Sequence, residues 1–138
     1  MAPEVGASIP AWEIGNVSPE PMKVMALVLR DPNPIHFDVT SLRRLGLPER
    51  PINQGPNNVG YVINMLLDWV GDPGALRSIR VRFRANVLAG DRVLAGGRVT
   101  DVHRDAEGAV VTCDVWLDGD DGRVLDGTAR VRWPEAST

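Results

Sequence analysis

The run Gln54-Gly55-Pro56-Asn57-Asn58-Val59-Gly60-Tyr61-Val62-Ile63-Asn64-Met65-Leu66-Leu67-Asp68-Trp69-Val70 reads as a helix from Pro56 that cannot lie on a surface. Its apolar residues Val59, Val62, Ile63, Leu66, Leu67 and Val70 occupy far more than one stripe, which predicts burial on most sides. Gly71-Asp72-Pro73-Gly74 ends it. Beyond Gly74 the period changes from 3.6 to 2. Ile79, Val81, Phe83, Ala85 and Val87 alternate with Arg80, Arg82, Arg84 and Asn86, as in a strand with one wet face. Ala89-Gly90-Asp91 turns the chain. Further strands are predicted at about 92–102, 109–117 and 123–133, with turns at Asp105–Gly108 and Asp118–Gly122. Gly96-Gly97 implies a bulge or a close backbone approach. Trp12–Ile14 fits one more edge strand. The expected class is α+β: a four-stranded antiparallel meander curled around one buried helix. The flank the sheet leaves open needs another protein surface, which points to a dimer.

Working outward, Ser18-Pro19 starts a helix carrying Met22, Met25, Ala26 and Leu29 at helical spacing. Asp31-Pro32 ends it, because a residue before proline is pushed out of the α region. A shorter helix is expected from about Thr40 to Leu45, stopping at Gly46, and Leu47–Asn53 reads as loop. The first ten residues and Glu135–Thr138 read as loose ends, leaving an ordered core of about 10–134.

The 138 residues suit one domain, 1–138. A lone cysteine, Cys113, excludes an internal disulfide and a cysteine-based zinc site. A net charge of −3 gives no overall attraction to nucleic acid. Met1-Ala2-Pro3-Glu4 lacks the features of a secretory signal. The longest apolar stretch, Val59–Val70, is interrupted by Gly60, Asn64 and Asp68 and is too short to span a bilayer. The expectation is a cytoplasmic protein without membrane or nucleic-acid partners.

Two histidines are present. His103 falls at a strand end beside a polar turn and reads as a surface residue. His36 follows Asp31 in the proline-stiffened loop Asp31-Pro32-Asn33-Pro34-Ile35-His36. An imidazole beside a carboxylate suits proton transfer near neutral pH. The same residues also fit an Asx-turn at Asp31 with His36 as a buried structural partner. Gln54-Gly55-Pro56-Asn57 offers free N–H groups at a helix N-terminus, which can polarise a carbonyl oxygen. It equally fits a plain helix start.

The two segments together resemble the MaoC-like dehydratases, the family of (R)-specific enoyl-CoA hydratases and 3-hydroxyacyl-thioester dehydratases. Asp31-Pro32-Asn33-Pro34-Ile35-His36-Phe37-Asp38 is similar to their hydratase-2 motif. Pro51-Ile52-Asn53-Gln54-Gly55 stands where the family has an Ile-Ala-His-Gly-Met type sequence opening the central helix. Trp69–Gly74 and Val81-Arg82-Phe83 look like short actinobacterial (3R)-hydroxyacyl-thioester dehydratase subunits, and the resemblance covers residues 12–132. Gln54 replaces the usual His, and Pro56-Asn57 replaces a Met-Leu type pair.

The resemblance implies a hot-dog fold and reversible hydration of a trans-2-enoyl thioester. It makes Asp31, His36 and the N–H of Gly55 the catalytic groups, with Asn33, Gln54 and Asn57 on the substrate side. It implies no metal and no cofactor beyond the coenzyme A or acyl carrier protein that bears the substrate. It implies a homodimer, or a heteromer with a second hot-dog subunit acting on a bulky acyl group such as a steroid. A non-catalytic helper subunit is the alternative. A hot-dog thioesterase fits less well, because Pro56–Leu67 holds no acid. Arg80, Arg82 and Arg84 read as a solvated strand face, and Tyr61 and Trp69 as core.

Overall fold

The computed structural model describes residues 1–136. Ser137 and Thr138, the end of the expected C-terminal tail, lie outside the described residues. In chain order the elements are β1 (Ser8–Ile14), α1 (Glu20–Leu29), a single 3-10 turn (Pro34–His36), α2 (Val39–Arg44), α3 (Gly55–Val70), β2 (Leu76–Phe83), β3 (Val93–Asp105), β4 (Gly108–Gly119) and β5 (Gly122–Pro134). The five strands form one antiparallel sheet in the order β1-β3-β4-β5-β2. It curls around α3, giving the α+β hot-dog arrangement. No helix among the described residues is long and apolar enough to cross a membrane.

The core lies between α3 and the sheet. Val62, Met65 and Leu66 of α3 meet Ala95, Val99, Val111, Cys113, Val115, Leu117, Ala129 and Val131, all buried. Val59, Tyr61, Leu67, Trp69 and Val70 are only half-buried, so one chain covers α3 on one side fully and elsewhere in part. Trp69 meets Trp133 edge-on, with ring centroids 4.9 Å apart, and closes the far end of the helix.

Three details correct or refine the sequence reading. The strands do not form a four-stranded meander. Only β3, β4 and β5 follow one another, while β2 crosses over to pair with β5. The cause is the segment after Phe83. Residues 84–92 leave the sheet and run back beside the loop before α3, with Asn53 N–H donating to Val87 O (2.7 Å) and Ala89 N–H to Pro51 O (2.8 Å). Ala85 and Val87 are therefore outside the strand. Second, the chain is ordered before residue 10. Ile9 is buried and pairs with Gly97, and Gly6 N–H donates to Val99 O. Third, of the two readings offered for Gly96-Gly97 the close approach holds, and the irregularity beside it lies in β1, where the register against β3 shifts between Ile9 and Trp12. A Cβ on Gly97 would lie 2.7 Å from Ile9 Cδ1, while the register shift against β4 falls between Val99 and Asp101.

Candidate active site

The Asp31–His36 segment is shaped by side-chain oxygens that take over backbone N–H groups. Asp31 Oδ1 accepts from Asn33 N–H (3.0 Å), Asn33 Oδ1 from Ile35 N–H (3.3 Å), and Asp38 Oδ1 from Thr40 N–H (3.0 Å). The Asx-turn expected at Asp31 is present, and it uses one carboxylate oxygen only. The other, Oδ2, lies 3.4 Å from His36 Nε2. Asn33 thus positions Asp31 through its backbone N–H, while its side chain caps the 3-10 turn.

His36 is held from its other nitrogen. Nδ1 lies 2.6 Å from Ile52 O, and that carbonyl can only accept, so Nδ1 carries the hydrogen. In a neutral ring the lone pair then sits on Nε2, facing Asp31. The ring is nearly buried, at 11% side-chain exposure, and the carboxylate is 33% exposed. Ile52 N–H in turn donates to Ile35 O (2.9 Å), so the 3-10 turn and the loop before α3 are stitched together. This stitching brings both sequence motifs to one place.

Gly55 opens α3, and its N–H makes no hydrogen bond among the described residues. A free donor at the positive end of a sixteen-residue helix can receive developing negative charge. Around it lies a polar network. Gln54 Nε2 donates to Met22 O (2.7 Å), tying α1 to the start of α3. Asn57 Nδ2 donates to Asn53 Oδ1 (3.0 Å) and Gln54 Oε1 (3.1 Å). Asn53 Nδ2 donates to Asn58 Oδ1 (2.8 Å) and Tyr61 Oη (3.2 Å). Burial pushes the Tyr61 phenol above its ordinary value, partly offset by the Asn53 bond. The side chains of Gln54 and Asn57 therefore hold the helix start in this structure.

Asn53, Asn58 and Phe83 are site neighbours to which the sequence reading assigns no functional role. Asn53 and Asn58 are buried polar residues, a signal their position in the sequence does not carry. An open groove of about 440 Å³ borders Asp31 and is lined by Lys23, Ala26, Leu27 and Phe37. A separate cleft of about 320 Å³, between Arg50 and the β4–β5 turn, holds none of the motif residues. His103 is exposed, as expected, and so are Arg80, Arg82 and Arg84. Arg84 pairs with Asp126 on β5 (2.6 Å).

Comparisons with known proteins agree with this fold. A family model described as MaoC like domain matches residues 5–118. No curated protein matches the chain. Among solved structures, the ChsH1-ChsH2 complex from Mycobacterium tuberculosis is 24% identical with a TM-score of 0.80, covering 96% of this chain and 99% of that one. The (R)-hydratase from A. caviae involved in PHA biosynthesis is 23% identical with a TM-score of 0.82, over 96% and 98% of the two chains. R-hydratase PhaJ1 from Pseudomonas aeruginosa is 20% identical with a TM-score of 0.80, over 97% and 84%. At these identities the likeness is one of fold.

Proposed function

The chain belongs to the MaoC-like domain family, and on that premise we propose that it reversibly adds water to a trans-2-enoyl thioester, giving the (R)-3-hydroxyacyl thioester. Membership supports hydro-lyase chemistry in general. The observation that carries the finer reading is the Asp31–His36 pair, with Nε2 and Oδ2 3.4 Å apart and Nδ1 held by Ile52 O.

Two acceptors facing each other suit one water molecule, which can donate a hydrogen to each. His36 Nε2 is the principal base and takes a proton as the water oxygen bonds to C3. The C2=C3 π electrons move toward the thioester, whose oxygen gains negative charge. The N–H of Gly55 stabilises that charge at the helix N-terminus. The pair then delivers a proton to C2, so the sum is H on C2 and OH on C3. Asn33, Gln54 and Asn57 serve the substrate by holding Asp31 and Gly55 in place. The thioester is borne by coenzyme A or an acyl carrier protein, and neither metal nor redox cofactor takes part. Thioester hydrolysis has less support, because the helix acid Asp68 is exposed in the last turns of α3, far from Gly55.

We place the chain in the cytoplasm as a subunit of a hot-dog assembly, with a second copy or an unlike partner. The half-covered flank of α3 and the free edge of β2 support the assembly. The test is loss of the conjugated enoyl absorbance when the pure protein meets crotonyl-CoA, a longer enoyl-CoA and a steroid enoyl-CoA, followed by chiral analysis of the product. Loss of absorbance with an (R)-product supports the reading. Equal activity in Asp31→Asn and His36→Ala would overturn it. Light scattering of the same sample gives the subunit number, and a chain that is inactive alone but active with an unlike partner selects the heteromer.

A further inference from the structure

Phe83 ends β2, pairs with Leu125 on β5, and is 52% exposed. Solvation alone does not favour a large aromatic ring there. Its ring lies against the start of α3. A Cβ built on Gly55 would come within 2.9 Å of Phe83 Cζ, 3.2 Å of Cε1 and 3.4 Å of Cε2. The contact is imposed by the fold, because residues after Phe83 leave the sheet to pair with the loop before α3, with an isolated bridge between Ile52 and Leu88. Gly55 has an ordinary negative-side backbone, being absent from the positive-φ residues. A side chain at position 55 would therefore meet the ring, which would have to move aside, and not a forbidden backbone conformation.

We propose that Phe83 is a positioning residue for the Gly55 N–H: its ring walls one side of that donor, keeps water off it, and sets the width of the slot in which the thioester oxygen lies. A hydrogen-bond donor stabilises developing charge far better where water is excluded. Without the ring, water competes for the N–H. With a methyl group at position 55, ring and slot cannot both keep their places. The catalytic part of this inference rests on the hydration reading, and the steric part does not.

The test is a double-mutant cycle on kcat and KM for crotonyl-CoA, with Gly55→Ala, Phe83→Ala and their combination, and Phe83→Tyr as the variant that keeps the ring. The expectation is a loss in kcat of roughly tenfold or more for Gly55→Ala in the native background, and less than about threefold in the Phe83→Ala background. Phe83→Ala alone lowers kcat several-fold with KM nearly unchanged, and Phe83→Tyr stays close to the native enzyme. Equal losses for Gly55→Ala in both backgrounds, or a Phe83→Tyr as poor as Phe83→Ala, would overturn the proposal. If the native protein hydrates no enoyl thioester, the hydration reading has failed, and the Gly55 amide signal in NMR decides the remainder. That signal should shift on addition of butanoyl-CoA in the native chain and shift less in Phe83→Ala. No shift, or an equal one, overturns the role assigned to Phe83.

Discussion

His36 donates its Nδ1–H to the carbonyl oxygen of Ile52 across 2.6 Å, and this bond joins the two halves of the candidate site. Ile52 lies three residues before Gly55, at the start of the central helix. The hydrogen bond therefore does two things. It selects the tautomer whose Nε2 faces Asp31, and it fixes the distance between the acid-base pair and the helix N-terminus. Asp31 is fixed from its own side by the Asn33 N–H on Oδ1, which leaves Oδ2 as the working oxygen.

If the pair acts as one proton-transfer unit, removing either member should remove most of its effect. His36→Ala and Asp31→Asn should each lower kcat/KM by about 10²–10⁴-fold. The double variant should be little worse than the poorer single, because residues that act together are not additive. Steady-state rates with crotonyl-CoA measure this. Losses that multiply in the double variant would mean that the two side chains act separately.

The network at the start of α3 gives a stability prediction. Gln54 is buried, and its amide is a partner of Met22 O in α1. Gln54→Ala removes that buried link between α1 and α3 and also the oxygen that accepts from Asn57, at a cost of about 1–3 kcal/mol. Asn57 is only half-buried, and its amide donates to two side-chain oxygens, so Asn57→Ala should cost less, about 1 kcal/mol. Urea unfolding of the two variants checks the order, and the reverse order would show that the α1–α3 link is not what Gln54 supplies.

The central helix, its stop at Gly71 and the hairpins of β3, β4 and β5 were legible because each is written locally, in a period or a turn. The Asp31–His36 segment was legible for the same reason, since prolines and Asx residues shape it within a few positions. The partner of β2 was not. A period of 2 shows which face of a strand is buried and says nothing about which strand lies beside it. Ile9 was missed because its burial depends on the distant Gly97, which makes room for it. Phe83 fitted the alternating pattern well, yet its contact with Gly55 arises from a chain crossing that no local pattern records.

The end of α1 offers a change expected to stabilise. Arg30 has φ 51°, the left-handed conformation that side chains other than glycine adopt at a cost. It is kept there because Asp31 N–H donates to Ala26 O (2.9 Å) and Arg30 N–H to Leu27 O (3.2 Å), closing the helix and delivering Asp31 to the site. Arg30→Gly relieves the side-chain clash, but it also loosens the unfolded chain, so the net gain should be about 0.5–1 kcal/mol. The urea midpoint should rise with kcat/KM kept. A fall in both would show that the arginine side chain itself supports the segment.

Cys113 makes the pH dependence of folding testable. Burial, and secondarily the charge of Asp114, push its thiol from 9.0 up to about 12. In the unfolded chain the thiol ionises near 9.0, while in the fold it keeps its proton up to about 12. Between those values the unfolded state releases a proton that the folded state retains, so stability falls as pH rises through that window. Below it the group is neutral in both states and contributes no slope. Tyr61, raised by burial in the same direction, adds its own loss above 10.0. Urea midpoints from pH 8 upward should therefore hold steady and then decline. In Cys113→Ala the decline should begin later and be shallower, on top of a constant cost for the small cavity. Iodoacetamide at pH 8 should label the native thiol far more slowly than the urea-unfolded one. Equal labelling rates would mean that β4 opens often enough to expose Cys113, and the alkaline decline would then have another source.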